Sequence, residues 1–234
     1  MKVIKPEELN KNVFSMIGKE WLLVTAEKEG KVNTMTASWG GLGVMWGKDV
    51  AFIVLRPQRY TKEFVDAGET FSLSVLGGER RKTLNYLGTV SGRDEDKVAK
   101  SGLTVEREDG TPYFGEADTV LICRKLYAQP YDPSCFIDKS CDERWYPDKD
   151  YHTLYIAEIE KVLVHPADIC RREFYCGMGR AYSSNRYNSR RMRENNRKPA
   201  LKGGKGVLGP MSRADRTEVF EHMPIPRAVG RQII

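Results

Sequence analysis

The feature that most constrains the fold is a series of short apolar runs, each about as long as a β-strand and each ended by glycine, proline or charged residues. Six runs have this form, at residues 20–26, 32–39, 49–55, 70–76, 120–127 and 151–164. Several alternate apolar and polar residues, as Phe71, Leu73 and Val75 do, and a period of two is typical of a strand with one buried face. We therefore predict a mainly β protein.

Helical patterns between these runs are few and short. Short helices are predicted at residues 5–9, 60–67 and 80–87, with one further helical turn within 94–100. A doubly wound parallel sheet needs a helix after nearly every strand, so this spacing favours a β-barrel. Three glycines, Gly40, Gly41 and Gly43, loosen the chain after the second run, and we predict a loop there.

The composition argues against several classes of protein. No window reaches the roughly 18 to 20 consecutive apolar residues of a membrane-spanning helix. Residues 1–6 lack the apolar segment of a secretory signal, so we expect a cytoplasmic protein without a membrane partner. The five cysteines are an odd number, which favours reduced thiols over a disulfide framework. Cys135 and Cys141 have no CxxC partner pair, and we expect no metal site.

The charge and the apolar content both change after residue 164. Residues 165–234 hold 15 Lys and Arg against 6 Asp and Glu, although the net charge of the whole chain is only +6. Leu, Ile, Val and Phe supply 11 of the last 70 residues, a share below the roughly 20% that a packed core usually needs. We predict a domain at 1–164 and a basic tail at 165–234 that is disordered apart from a helix near 212–223.

Two interpretations of the tail remain open. Its arginine-rich stretch at 186–193 is compatible with nucleic-acid binding. Alternatively the tail is an appended extension, or one produced by a frame error in the coding sequence, that the domain does not need. We favour the second interpretation, because the tail holds neither a core nor a motif.

The first candidate site is the stretch NTMTASW at residues 33–39. Its small hydroxyl residues allow a ligand to approach the backbone and offer hydrogen bonds, while Trp39 offers a flat apolar wall. The same residues also fit a strand edge with a polar face and a buried tryptophan. The stretch alone leaves both interpretations open.

The second candidate site is the stretch RPQRYT at residues 56–61, between a predicted strand and a predicted helix. A helix N-terminus presents free N–H groups, and arginine adds paired donors that match phosphate oxygens. The stretch therefore suits a phosphate group. The alternative is a solvated arginine pair, with Thr61 only capping the helix.

Two weaker signals lie further along the chain. The stretch LGTVSGRDEDK at residues 87–97 forms either a loop over a pocket or a surface turn followed by a solvated helix start. His152, at the start of the last run, belongs either to an active site or to a strand, where its ring would bond to a neighbouring backbone group.

Together with YHTLYIAEI at 151–159, these stretches in this order and spacing resemble the flavin reductase-like family of FMN-binding proteins, whose members include flavoredoxins and NAD(P)H:flavin oxidoreductases. The resemblance runs from about residue 1 to residue 164. It implies an FMN-binding split β-barrel of Greek-key topology with short peripheral helices. It also implies a homodimer with FMN near the subunit interface.

The resemblance further implies which residues hold the cofactor. The flavin ring would lie against residues 35–39, and the phosphate would contact Arg56, Arg59 and Thr61. The full set of expected FMN-binding residues is Asn33, Met35, Thr36, Ala37, Ser38, Trp39, Arg56, Arg59, Tyr60, Thr61 and Ser91. His152 is the one candidate for a catalytic side chain. The chemistry agrees, because FMN combines a phosphate, a polar ribityl chain and a flat ring, which call for cationic donors, hydroxyls and an apolar slot.

Two functions follow from this resemblance. The first is an FMN-dependent oxidoreductase that transfers hydride or electrons between NADH or NADPH and flavin or a downstream acceptor. The alternative is a flavoredoxin-type electron carrier that a partner protein reduces, with little turnover of NADH or NADPH. No G-x-G-x-x-G motif opens a βαβ unit, so a nicotinamide would have to meet the flavin directly.

Overall fold

The structure, a computed structural model, describes residues 1–165. Ten strands lie within this range: β1 (Lys2–Ile4), β2 (Leu22–Lys28), β3 (Lys31–Ala37), β4 (Gly40–Met45), β5 (Lys48–Leu55), β6 (Thr70–Val75), β7 (Val105–Glu108), β8 (Thr111–Phe114), β9 (Thr119–Pro130) and β10 (Thr153–Val164). Five α-helices lie in the same range: α1 (Val13–Ser15), α2 (Tyr60–Ala67), α3 (Arg81–Thr89), α4 (Lys97–Lys100) and α5 (Lys139–Trp145). The predicted tail, with its disorder, its helix and its arginine-rich stretch, lies outside the described residues apart from His165.

Eight of the strands form one antiparallel sheet that curls on itself. Its strand order is β3-β2-β6-β9-β10-β5-β4, with β1 paired to the far end of β10. Seven flat strands would place β3 and β4 about 29 Å apart, at about 4.8 Å per step. Only Ser38 and Trp39 join these two strands, a link that spans at most about 10 Å. The sheet must therefore close into a barrel that stays split between β3 and β4.

The two faces of this sheet pack against two different cores. Val24, Phe71 and Leu73 point into the barrel and belong to the larger core. Leu23, the neighbour of Val24 on β2, points the other way, into a second core shared with α3 and with Phe114 of the β7–β8 hairpin. Consecutive residues of β2 are therefore buried on both faces of the sheet, and they alternate between the two cores with the period of two of a strand.

Most predicted elements are confirmed within a few residues. The runs at 20–26, 32–39, 49–55, 70–76, 120–127 and 151–164 correspond to β2, β3, β5, β6, β9 and β10. The helices predicted at 60–67 and 80–87 are α2 and α3, the turn within 94–100 is α4, and the helix at 5–9 is a 3₁₀ turn at Pro6–Glu8. Among the described residues, no helix is long and apolar enough to cross a bilayer.

The predicted loop at Gly40, Gly41 and Gly43 is wrong, because these residues form strand β4 against β5. These glycines allow β4 to pack closely against β5. A Cβ on Gly41 would lie 3.3 Å from the ring of Phe52, and one on Gly40 would lie 2.3 Å from the Phe52 carbonyl oxygen. Glycine in a strand often marks such an approach. The sequence analysis also missed β1, the β7–β8 hairpin and α5.

Candidate functional site

Two adjoining clefts open beside the link between β3 and β4, and they bring the predicted site residues together. The first cleft is lined by Met35, Thr36, Ala37, Ser38, Trp39, Arg56, Arg59 and His152, with Val54 beneath. The second is lined by Met35, Arg59, Tyr60, Thr61 and Ser91, together with Gln58, Thr89, Val90, Gly92 and Lys97. Met35 and Arg59 line both clefts, so one elongated ligand would reach from one to the other.

The first cleft is aromatic and narrow. Only about 10 Å³ of space lies between its lining residues. The Trp39 ring lies 5.2 Å from the ring of His152 and meets the Trp145 ring edge-on at 5.0 Å. These distances join the barrel seam to residues 131–152, which connect β9 to β10 and include α5.

His152 is buried and neutral in this cleft. Its Nδ1 forms a 2.7 Å hydrogen bond with the Tyr146 hydroxyl, so the ring bonds to a side chain and not to the backbone. Burial, with the nearby charge of Arg56 adding to it, lowers the pKa of His152 to about 4. At neutral pH the imidazole therefore adds no charge to the first cleft.

Arg56 directly follows β5, and its side chain contacts residues 131–152. Its guanidinium pairs with the Asp150 carboxylate, donates to the Trp145 carbonyl oxygen at 2.8 Å and lies 5.3 Å from the Tyr146 ring centre. Gln58 donates to the same Asp150 oxygen at 2.7 Å. Burial opposes ionisation of Asp150, but the bonds from Arg56 and Gln58 outweigh it and lower the pKa of this carboxyl. The two predicted arginines thus have different surroundings.

The second cleft lies at the N-terminus of α2. Arg59 is the N-cap residue of this helix and its side chain makes no capping bond. Thr61 therefore does not cap the helix; it is buried in the first turn and accepts a 3.1 Å hydrogen bond from Asn33. Asn33 thus lies beneath the cleft and holds Thr61 in place. The uncapped N–H groups and the helix dipole favour an anion here.

Arg59 and Lys97 bring two cations to this cleft. Arg59 donates to the Gly88 carbonyl oxygen at 2.8 Å. Its pKa is lowered by burial and then by the charge of Arg56. Lys97 is 4% exposed and donates to the carbonyl oxygens of Leu87 and Val90 at 2.8 and 2.9 Å. Burial, then the charge of Arg59, lowers the pKa of Lys97 to about 8.

The sequence analysis missed Lys97 as a site residue. It stands at the end of the charged run at 93–97, and such a run is typical of a solvated helix start. The one local signal is Asp96, which caps α4 by accepting from the Ala99 N–H at 3.0 Å and so sets the direction of the helix. Lys97 is buried because α4 packs against β3, and no local sequence pattern shows that packing.

The loop between α3 and α4 closes the second cleft tightly. A Cβ on Gly92 would lie 2.4 Å from Asn33 Oδ1 and 3.1 Å from the Tyr60 ring, so only glycine fits there without movement. Ser91 Oγ accepts from the Arg93 N–H at 3.2 Å, and the Arg93 guanidinium lies 4.6 Å from the Tyr60 ring centre. The LGTVSGRDEDK stretch is therefore a cleft wall and not only a surface turn.

A family model described as the flavin reductase-like domain matches residues 14–176 of this sequence. The chain belongs to the flavin reductase-like family. The match covers more than two thirds of the chain and confirms the resemblance drawn from the residues. It ends at residue 176, past the predicted domain boundary at 164, which stays a prediction.

Solved structures of the flavin reductase-like fold resemble this one. Flavoredoxin from Methanosarcina acetivorans has a TM-score of 0.51 and 21% identity, over 70% of this chain and 77% of that one. Flavoredoxin of Desulfovibrio vulgaris has a TM-score of 0.51 and 22% identity, over 70% and 78%. An FMN-binding domain of a flavin reductase-like enzyme from Shewanella baltica has a TM-score of 0.50 and 18% identity, over 69% and 75%. These likenesses confirm the predicted split-barrel fold class.

One relative was found by sequence. An uncharacterized protein of Aeropyrum pernix is 27% identical over 124 residues, which make up 52% of this chain and 46% of that protein. The alignment thus spans about half the length of this relative.

The cysteines of the described part lie away from both clefts' linings. Cys135 and Cys141 are exposed, and Cys123 is buried in the barrel, where burial raises the pKa of its thiol. Within residues 1–165, no three His, Cys, Asp or Glu side chains come together as a metal site would require.

Proposed function

We propose that this chain binds FMN across the two clefts and acts as an oxidoreductase, transferring hydride or electrons between NADH or NADPH and flavin or a downstream acceptor. The observation that carries the proposal is the second cleft, where Arg59, Lys97 and the uncapped N-terminus of α2 converge. No Asp or Glu is among the described residues that line it. This donor set suits a doubly negative phosphate.

The residues present fit the phosphate end of FMN. An ammonium group carries three N–H donors, and Lys97 gives two of them to backbone carbonyls. Ser91 and the first-turn N–H groups of α2 would supply further bonds, with Asn33 holding Thr61 in position. The cleft has about 90 Å³ of space beside these groups.

The residues of the first cleft fit the flat end of FMN. Met35, Val54 and Trp39 supply apolar walls, and Ser38 supplies a hydroxyl at the seam. When bound, FMN supplies the ring that accepts and passes on hydride or electrons. The neutral His152 adds no charge, so the contribution of the protein to that transfer is alignment and exclusion of water.

The alternative is a flavoredoxin-type carrier, which a partner protein reduces. One observation favours it: the first cleft is narrow, with about 10 Å³ of space between its lining residues, which leaves little room for a nicotinamide. A carrier needs only close approach of a protein partner, whereas a reductase must admit NADH or NADPH to the flavin.

Absorption spectroscopy of the purified protein tests both functions. We expect flavin bands from the protein as purified or after FMN is added. Stopped-flow mixing with millimolar NADH or NADPH should then bleach these bands within seconds for a reductase. Bound flavin that stays oxidised for minutes would exclude the reductase and support the carrier function. Protein that never takes up FMN would overturn the proposal.

We also propose that the chain forms a homodimer. The support is an exposed apolar group on the edge strand β4 and its turn, where Val44 is 72% and Trp46 is 60% exposed. The Trp46 ring lies beside the Tyr127 ring, with ring centres 6.4 Å apart and the planes tilted by 55°. Large exposed apolar residues at a sheet edge favour association. Sedimentation velocity should give the mass of a dimer, and a Trp46→Lys variant should shift it to that of a monomer.

A further inference from the structure

Residues 131–151, here called the lid segment, form a small aromatic unit between β9 and β10. The pairing of these two strands ends at Pro130 and Thr153, and the Tyr131 N–H then donates to the His152 carbonyl oxygen at 2.8 Å. Both ends of the lid segment therefore leave the sheet at one point. The segment can move about this point without breaking the pairing of the sheet.

The lid segment has its own packing. The Tyr146 ring lies 5.0, 5.7 and 6.5 Å from the rings of Tyr151, Phe136 and Tyr131. Helix α5 buries none of its residues, and Ile137 before it is fully exposed. Because its aromatic residues pack mainly against each other, the segment can move as a unit.

Few polar contacts join the lid segment to the rest of the described domain. Arg56 makes two of them, and the Tyr146 hydroxyl and the Tyr131 N–H each bond to His152. Arg56 pairs with Asp150 and donates to the Trp145 carbonyl oxygen, while Gln58 supports the same Asp150 oxygen. The other Asp150 oxygen is buried, with no hydrogen-bond partner. The carboxylate therefore depends on Arg56 and Gln58, and so does the position of Trp145 against Trp39.

The first cleft is narrow, and Trp145 of the lid segment packs against Trp39, which forms one of its walls. Its space of about 10 Å³ holds about one water molecule. The lid segment itself supplies none of the residues that line this cleft, and it reaches the cleft through its contacts with Trp39 and Arg56. Arg56 meanwhile commits donors to the lid segment, whereas Arg59 and Lys97 face the cleft that suits a phosphate.

We infer that Arg56 is a positioning residue that latches the lid segment against Trp39, at the ring end of the site, through Asp150 and the Trp145 carbonyl, and that it is not a phosphate ligand. This inference rests on the proposed binding of FMN. It differs from the role implied by the family resemblance, in which Arg56 and Arg59 together hold the phosphate. A latch acts on the ring, which FMN and riboflavin share, whereas a phosphate ligand acts on FMN alone.

Comparing FMN with riboflavin separates the two roles. Arg56→Lys keeps the charge but loses the paired donors, and Asp150→Asn removes the partner charge at constant shape. Stopped-flow binding should show both flavins dissociating about ten-fold faster in either variant, the effect of losing a charged hydrogen bond that holds Trp145 against Trp39. The ratio of FMN to riboflavin affinity should stay as in the wild type. A loss confined to FMN, or unchanged rates for both flavins, would overturn the inference.

Amide hydrogen exchange tests the latch without flavin. Exchange within residues 131–151 should speed up about ten-fold in both variants, with no change in β9 or β10. Glu27→Gln is the matched control, because it breaks an Arg–carboxylate pair with Arg107 at another part of the surface. Faster exchange in a protein that binds neither flavin would leave the latch standing and refute FMN binding. Unchanged exchange in a protein that binds flavin would refute the latch alone.

Discussion

At the scale of single residues, the clefts hold ionisable groups in unusual states because the fold buries them. His152 is 3% exposed, and its pKa falls to about 4 from a usual value near 6.5. Lys97 is nearly as buried and keeps its charge through two backbone carbonyls. The fold thus places a neutral ring in the first cleft and a cation in the second. Because Lys97 lines only the second cleft, its charge suits the anionic end of a ligand there.

The depressed pKa of His152 predicts acid sensitivity. Between about pH 6.5 and pH 4 the unfolded chain binds a proton that the folded protein resists, so the free energy of unfolding falls as the pH is lowered through this window. For a pKa of about 4 the loss over this window is about 3 kcal/mol. Urea unfolding of the wild type and of His152→Gln at several pH values measures this loss of unfolding free energy. The stability difference between the two should shrink towards pH 4, and parallel curves would contradict this.

The position of Lys97 predicts its effect on cofactor affinity. Lys97→Met and Arg59→Ala should each weaken FMN by about 1.5–3 kcal/mol, the loss of a charged hydrogen bond, and should affect riboflavin much less. Fluorescence titration with both flavins measures the effect. Lys100→Met is the matched control, because Lys100 lies on the same helix but is exposed and pairs with Glu95. Equal affinity for FMN in Lys97→Met and Lys100→Met would contradict the assignment.

At the scale of elements, glycines let two segments approach each other. In β4 they allow the strand to lie against Phe52, which turns a predicted loop into the edge of the sheet. In the loop between α3 and α4, Gly92 allows the chain to lie directly on Asn33. The close approach at Gly92 also forms one wall of the second cleft and holds Asn33 in its hydrogen bond to Thr61.

The tight fit at Gly92 predicts a local defect. In Gly92→Ala the new Cβ would force the Asn33 amide to move and would break its hydrogen bond to Thr61. We expect a loss of about 1–3 kcal/mol in unfolding free energy and weaker FMN binding. Gly78→Ala is the control, since nothing lies within 4 Å of its Cβ and its φ is not positive. Thermal unfolding and FMN titration measure both variants, and equal behaviour would count against the role of Gly92.

At the scale of the whole molecule, one sheet carries both cores and the seam where the clefts lie. Adjacent residues of β2, Leu23 and Val24, belong to different cores. Losing either core would therefore disturb the strands that hold the other. The described part of the chain should behave as a single cooperative unit.

Because the two cores share strands, damage to the second core should destabilise the whole described part of the chain. Phe114→Ala removes a fully buried ring from the second core and should lower stability by about 3–5 kcal/mol. Phe14→Ala is the control, because its ring is 89% exposed, and its effect should stay within about 0.5 kcal/mol. Urea unfolding followed by circular dichroism and by tryptophan fluorescence should give coincident curves. Separate transitions would show that the two cores unfold independently.

The sequence by itself determined the elements whose signals are local. A period of two depends only on which residues face a core, so the six main strands were predictable. The junction at 56–61, at the start of α2, and the family were also predictable from short stretches of sequence. The site stretches were also recognisable, because hydroxyl and arginine clusters at element ends are local features.

Only the tertiary structure decided which of these groups meet. Lys97 is buried because α4 packs against β3, far away in the sequence, and Arg56 turns from the second cleft because residues 131–152 place Asp150 beside it. Residues 40–45 form strand β4 because they pair with β5, a pairing that the sequence around the glycines does not reveal. Burial and pairing between distant segments depend on the closure of the barrel, and no single stretch of the chain carries that information.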